Sequence, residues 1–244
     1  MLNILLTRPL AQVKVLESLV LEKGYQPLLF PTLKVESICT TVKRKQYDAV
    51  IFISANAVEH GLEILNSIQY GYIFTVGAAT AKKLNRYNIS VDDFPKEKAS
   101  SEALLGLDSV AKLTSKNILI FRGKGGRETL KIGLEKNNNL IEYVEVYDRV
   151  VCAPTELHQQ SLMRFIANDR GVISITSNEN LDGLITLAKQ LDTLDAIKSY
   201  PLIVLSARIK KYAQILGFNQ ITITPDISDQ SIISVLEMSD TLDN

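Results

Sequence analysis

Apolar and polar positions along the chain follow two rhythms, and the rhythms recur. "ILLT" near the N-terminus is a short continuous apolar run. Over about 10–23, Val13, Leu16 and Val20 then fall on one helical face, and Gly24 closes the stretch. "PLLF" is the next apolar run, followed by "AVIFIS" and a helix predicted from about Asn56. "YIFTV" precedes a helix predicted over 78–86. In the second half Ile209, Tyr212, Ala213 and Leu216 keep i, i+3, i+4, i+7 spacing, and Gly217 ends that helix. Strand-length runs that are apolar throughout suit a parallel sheet covered by helices on both faces. The pattern predicts an α/β chain with two similar open parallel sheets.

The two sheets are suggested by an internal repeat. "NILLTRP" (3–9) returns as "NILIFRG" (117–123), 114 residues on. "SANAVEHGL" (54–62) returns as "TSNENLDGL" (176–184), a spacing of 122, each after an apolar run, "VIFI" or "VISI". "TVGAATAKKL" (75–84) matches "LSARIKKYAQIL" (205–216), with Gly77 against Ser206 at 129, and Pro95 matches Pro225 at 130. Four matches in one order indicate a duplication whose unit is about half the chain, too long for a solenoid repeat. The crossings "TLKVESICT" (32–40) and "VYDRVVCAP" (146–154) read as extended strands rather than flexible linkers.

Composition narrows the function classes. The 244 residues are 46% hydrophobic and 22% charged, as in a globular protein, and the formal net charge is zero, without the basic balance of a general nucleic-acid binder. "MLNILLTRPL" lacks the pattern of a signal peptide, and no apolar run approaches a membrane span. Cys39 and Cys152 are the only cysteines and His60 and His158 the only histidines, so a disulfide framework and a zinc site are not expected. These features fit a reducing cytoplasm.

In open parallel sheets ligands bind beyond the carboxyl ends of the strands. The residues there are Arg8 and Pro9, Ser54, Ala55 and Asn56, Gly77 to Thr80, Arg122 and Gly123 to Arg127, Ser177 and Asn178, and Ser206, Ala207 and Arg208. Small hydroxyl, amide, glycine and guanidinium groups at helix starts favour anions, although each serine or asparagine alone is equally an N-cap. "RGKGGRETL" lacks the order of a nucleotide-binding loop. Arg122 and Arg127 can clamp carboxylates, or can form a solvated basic turn. No GxSxG occurs and neither histidine has a partner pattern. His60 reads as packed or solvent-facing, His158 as a helix-surface residue, Asp92-Asp93 as a turn and "KRK" (43–45) as a solvated loop. Tyr147 ends the apolar run "IEYVEVY" and either faces a cleft or packs at a hinge.

Together these residues resemble the uroporphyrinogen-III synthase family. The carriers are "LLTRP", "FISANAV", "VGAATAKKL", "ILIFRGKGGRETL", "VYDRV", "ITSNENLDGL" and "LSARI…LGF", through nearly the whole chain and in the family's order. Ile209 stands where Thr80 stands in the first copy, a departure from the pattern. The resemblance implies two flavodoxin-like α/β domains joined by a two-stranded connector. One domain is discontinuous, 1–33 with 153–244; the other is 38–147; 34–37 and 148–152 connect them. It also implies that the duplicated loops face each other across a cleft; the two thin crossings, which imply a small interface, predict relative motion of the domains. The implied reaction is a hydro-lyase cyclisation of hydroxymethylbilane to uroporphyrinogen III, with loss of water and inversion of ring D. The substrate's eight carboxylates would be met by Arg8, Ser54, Ala55, Asn56, Gly77, Thr80, Arg122, Gly123, Ser177, Asn178, Ser206 and Ala207. Tyr147 is the implied aid to departure of the hydroxyl, with Thr80 next. No cofactor, metal, nucleic acid, membrane or obligatory second subunit is implied, so a monomer is expected. The alternative is a non-catalytic two-domain module that binds an anionic small molecule, which fold alone does not separate from an enzyme.

Overall fold

In a computed structural model, residues 1–168 and 170–242 are described. In chain order the elements are β1 Asn3–Leu6, α1 Leu10–Glu22, β2 Gln26–Leu29, β3 Leu33–Ser37, β4 Gln46–Phe52, α2 Ala55–Asn66, β5 Gln69–Thr75 and α3 Ala78–Asn85. Next come α4 Ser101–Leu105, α5 Asp108–Ala111, β6 Asn117–Gly123, α6 Thr129–Glu135, β7 Leu140–Val151, α7 Glu156–Ile166 and β8 Gly171–Ile175. The chain closes with α8 Asn178–Gln190, α9 Leu194–Lys198, β9 Leu202–Val204, α10 Ala207–Ile215, β10 Ile221–Ile223 and α11 Asp229–Leu242. The chain divides into two compact units, residues 1–34 with 150–244, and 35–149.

Each unit holds one five-stranded sheet. The terminal unit has the order β10-β9-β8-β1-β2 and the central unit β3-β7-β6-β4-β5. Pairings β1–β2, β1–β8, β8–β9, β9–β10, β4–β5, β4–β6 and β6–β7 are parallel. The apolar runs are continuous because both faces of each sheet are buried. In β1, Leu5 joins Phe30, Ile173, Leu184 and Val204 on one face, while Ile4 and Leu6 join Val13, Leu16, Ile203 and Ile232 on the other. In the central sheet Val50, Phe52, Leu119 and Phe121 pack toward α2, and Ala49, Ile51, Ile118 and Ile120 toward α4, α5 and α6. Fully burying one such side chain contributes roughly 1.5–3 kcal/mol.

The repeat is exchanged between the sheets. The terminal sheet combines the front strands of the first copy, β1 and β2, with the back strands of the second, β8, β9 and β10. The central sheet combines β6 and β7 with β4 and β5, so β7-β6-β4-β5 reproduces β2-β1-β8-β9. A single parallel bridge, Phe74–Asp93, stands where β10 stands in the other unit. Registers correct one spacing. Val50 pairs with Leu119 and Ile173 with Leu5, and Ser54 and Ser177 are both N-caps, so the second match runs at 123, not 122. Apolar runs alone leave a one-residue slip open, whereas pairing and capping do not.

Other expectations are corrected locally. His158 is buried, not on the helix surface. At the third position of α7 it reaches back to Thr155, whose N–H lies 3.1 Å and Oγ1 2.7 Å from Nδ1, and its Nε2 donates to the Pro31 carbonyl at 2.8 Å. Asp92 and Asp93 are more than a turn: Asp92 accepts the Ile73 N–H at 2.7 Å and finishes the sheet edge. The 43–45 segment is tied down by buried Glu142, which accepts the Lys43 N–H at 2.7 Å and the Tyr47 hydroxyl at 2.8 Å. Burial, then this bond to Glu142, pushes the Tyr47 phenol up to about 12. Among the described residues no helix is long and apolar enough to cross a membrane.

Candidate active site

At the carboxyl edge of the central sheet, neighbouring strand ends place Tyr147 (β7), Gly123 (β6), Ser54 (after β4) and Gly77 (after β5) in order. Tyr147 does not end its strand, which runs on to Val151. Its aim comes from a bulge. Arg122 pairs with Glu145 but Gly123 pairs with Tyr147, so Val146 is the extra residue. A strand alternates faces, and one extra residue reverses the phase. Tyr147 therefore joins Val144 and Val146 in the cluster against α2, while Tyr143 packs on the opposite face.

Gly123 makes that placement possible. A Cβ there would lie 2.6 Å from the Tyr147 ring. With no side chain at the end of β6, the ring lies across it and its hydroxyl comes 3.1 Å from Ser54 Oγ, one strand further on. Ser54 also N-caps α2, accepting the Ala57 N–H at 3.0 Å. The Arg149 guanidinium lies 5.6 Å from the Tyr147 ring centre, and Nη2 is 3.5 Å from the hydroxyl. His60 is 5.9 Å from the same ring and bonds Ser37 Oγ through Nδ1 at 2.7 Å. Gly123→Ala is expected to push the ring off Ser54 and to cost about 1–3 kcal/mol of stability as an overpacked site. A wild-type melting curve and turnover for this variant would contradict the packing described.

The remaining predicted residues separate into groups. Ser177 and Ser206 are N-caps like Ser54, accepting the N–H groups of Asn180 at 3.1 Å and Ile209 at 3.4 Å. Ala55 and Asn56, Asn178 and Ala207 are first-turn residues of α2, α8 and α10, and helix starts of this kind present amides without intrahelical acceptors. Among the described residues Asn178 Oδ1 is buried without a hydrogen-bond partner. Gly77 caps α3 with extended backbone, and a Cβ there would lie 2.4 Å from that of Ala99. Thr80 is buried in the first turn of α3, and Ile209 is buried at the matching position of α10.

The two strand-end arginines are engaged within their own units. Arg8 pairs with Asp229 at the start of α11. Arg122 is 3% exposed, lies 4.2 Å over the Tyr143 ring and bonds Glu128 at 3.1 Å. It is a buried anchor of the 122–128 turn rather than an open clamp. Arg127 is 79% exposed, 3.6 Å from Glu102. Burial, then the Glu128 charge, pushes the Tyr143 phenol up to about 12.

Asn180 was not among the expected site residues. It is 1% exposed and joins three strand ends of the terminal sheet. Its Nδ2 donates to the Thr7 carbonyl at 2.7 Å and to Thr32 Oγ1 at 2.6 Å, and its Oδ1 accepts from Thr7 Oγ1 at 2.5 Å. The equivalent central positions are Phe121, Val146 and Ala57, where the Phe52–Phe121 stack closes the same edge without polar groups. Arg149 and His60 were also missed as Tyr147 neighbours, although "VYDRV" holds the arginine.

Comparisons with known proteins agree with the resemblance carried by the motifs. A family model described as "Uroporphyrinogen-III synthase HemD" matches residues 14–234. The uroporphyrinogen-III synthases of Escherichia coli and Salmonella typhimurium are each 28% identical over 164 residues, 67% of this chain. The match spans 66% of those relatives' own length. A putative uroporphyrinogen-III synthase of Methanocaldococcus jannaschii is 27% identical over 183 residues, 72% of this chain and 74% of its own. Among solved structures, the uroporphyrinogen-III synthetase of Helicobacter pylori has a TM-score of 0.65 at 18% identity, covering 99% of this chain and all of the other. A mutant enzyme of Thermus thermophilus has a TM-score of 0.54 at 12% identity, again over 99% of this chain and all of the other. The structural likenesses concern the fold, and the matched family model carries the assignment: this chain belongs to the uroporphyrinogen-III synthase family.

Proposed function

We propose that the chain is a uroporphyrinogen-III synthase. It closes the linear tetrapyrrole hydroxymethylbilane to uroporphyrinogen III, with loss of water and inversion of ring D. The observation that carries this reading is the Tyr147–Ser54 hydroxyl pair, set at a strand-end edge over Gly123 in a chain of this family. Departure of the substrate's hydroxyl as water needs one proton, and a neutral hydroxyl supplies it without a charged acid.

Binding follows from the same edge in each unit. Ser54, Ser177 and Ser206 each use a side-chain oxygen on the third helical amide, which leaves the first two amides of α2, α8 and α10 for carboxylates. A substrate with eight carboxylates suits many such donors better than a few strong cations, and both strand-end arginines already have acidic partners. The larger part of the rate then comes from holding the chain so that ring D closes through its substituted carbon by way of a spiro intermediate. The cytoplasm is the proposed compartment, in keeping with a chain that has only two cysteines and no CxxC spacing.

Consumption of enzymatically generated hydroxymethylbilane tests the reading. Its disappearance should accelerate in proportion to the chain added and be unchanged after exhaustive chelation, since among the described residues no three His, Cys, Asp or Glu converge on one point. No acceleration would overturn the assignment of activity, and loss with EDTA restored by one metal would overturn the metal-free route.

A further inference from the structure

Burial decides the direction of the Tyr147–Ser54 hydrogen bond. Tyr147 is 3% exposed. Among the described residues its hydroxyl has two hydrogen-bond partners, Ser54 Oγ at 3.1 Å and Arg149 Nη2 at 3.5 Å. A guanidinium only donates. A buried hydroxyl proton left without an acceptor is costly, so the phenolic proton goes to Ser54 Oγ, the one acceptor within reach. Ser54 Oγ also accepts the Ala57 N–H at 3.0 Å, which fills both of its lone pairs. The Ser54 proton has no acceptor among the described residues, and Ser54 is only partly buried at the strand-end edge. The free proton of the pair is therefore the one on serine.

We infer that Ser54, not Tyr147, is the catalytic residue that protonates the leaving hydroxyl, and that Tyr147 is a positioning residue behind it that refills Ser54. The inference rests on the synthase reading above. The step balances. The Ser54 Oγ–H bond breaks as its proton moves to the substrate's hydroxyl oxygen. The carbon–oxygen bond breaks with its electron pair going to oxygen, which leaves as water. The pyrrole nitrogen lone pair delocalises into the resulting carbocation. Ser54 Oγ takes the Tyr147 proton, and the phenolate is held against the Arg149 guanidinium. When the macrocycle has closed, the ring carbon that formed the new bond loses a proton, which returns through Ser54 to Tyr147.

This arrangement accounts for three features together. The bulge at Val146 turns Tyr147 toward α2, Gly123 clears the space between β7 and β4, and Arg149 places a cation beside a phenol that has no other charged neighbour within hydrogen-bond distance among the described residues. A phenol that met substrate directly would need none of the contact with Ser54.

Steady-state kinetics on the 244-residue chain, with hydroxymethylbilane as substrate, test the relay through Ser54→Ala, Ser54→Thr, Tyr147→Phe and the Ser54→Ala/Tyr147→Phe double variant. Ser54→Ala and Tyr147→Phe should each lower kcat by about 10²-fold or more with KM within about twofold, and the double variant should be no slower than the worse single one. Ser54→Thr keeps both the hydroxyl and the cap, and should retain kcat within about fivefold, which separates loss of the proton from loss of the helix cap. Ser54→Ala at wild-type kcat with Tyr147→Phe slow would make the phenol the direct donor and overturn the relay. Tyr147→Phe at wild-type kcat, or multiplicative losses in the double variant, would overturn it equally. If the wild-type chain forms no isomer III, the synthase reading itself fails and the relay falls with it.

Discussion

Tyr147→Phe is expected to lower turnover by about 10²–10⁴-fold, the usual contribution of a positioned proton donor. The variant should lose about 1 kcal/mol of stability, the net value of one hydrogen bond. The ring stays where it is, across the glycine at the end of β6, because packing against Val144, Val146 and α2 holds it there. Only the oxygen shared with Ser54 and Arg149 is removed. Activity followed by bilane consumption, alongside a melting curve, separates a role in proton supply through Ser54 from a packing role. Full turnover with a clearly destabilised chain would assign Tyr147 to structure. Ser54 without its relay, and then Thr80 in the first turn of α3, would be the donors to test, by Ser54→Ala and Thr80→Val.

The largest expected effect on stability is at Asn180. Asn180→Ala removes both donors to Thr7 O and Thr32 Oγ1 and the acceptor for Thr7 Oγ1, all of them buried. It takes the side-chain acceptor from the Thr176 N–H, leaves Thr7 and Thr32 with only their backbone partners, and opens a small cavity. Together these cost about 3 kcal/mol, or a fall in Tm of about 6–12 °C for a chain of this size. The central unit closes the same edge with Phe121, Val146 and Ala57, so an alanine is tolerated there only because its neighbours are apolar. In the terminal unit Thr7 and Thr32 remain polar, and alanine alone does not recreate that solution. A Tm within 2 °C of wild type would mean the network carries no net stability.

Much of the architecture was legible because it is local. Continuous apolar runs report burial on both faces, serines before helical stretches report caps, and Gly24 and Gly217, both at positive φ, report helix ends. The repeat was visible because the same strand-to-helix turn was written twice. What escaped depends on partners distant in the chain. The Tyr147 side chain is aimed by a bulge defined only once β6 and β7 are in register. Asn180 becomes a hub only when residues 7, 32 and 180 meet at one edge, 173 and 148 positions away from it in sequence. His158 looked like a surface residue because nothing in its helix announces the Pro31 carbonyl packed against it. Gly123 drew notice as an anion-friendly residue, while its place in the fold gives it another task, clearance for an aromatic ring.

If the chain directs ring D to close in inverted orientation, as proposed, the isomer composition of its product shows it. Hydroxymethylbilane is incubated with the chain, the products are oxidised, and the type I and type III porphyrins are separated and quantified against a control without protein. Isomer III is expected to predominate with the chain present, while isomer I from simple head-to-tail closure predominates in the control and grows at the expense of III in Tyr147→Phe. A product that remains isomer I at every concentration of the wild-type chain would contradict it.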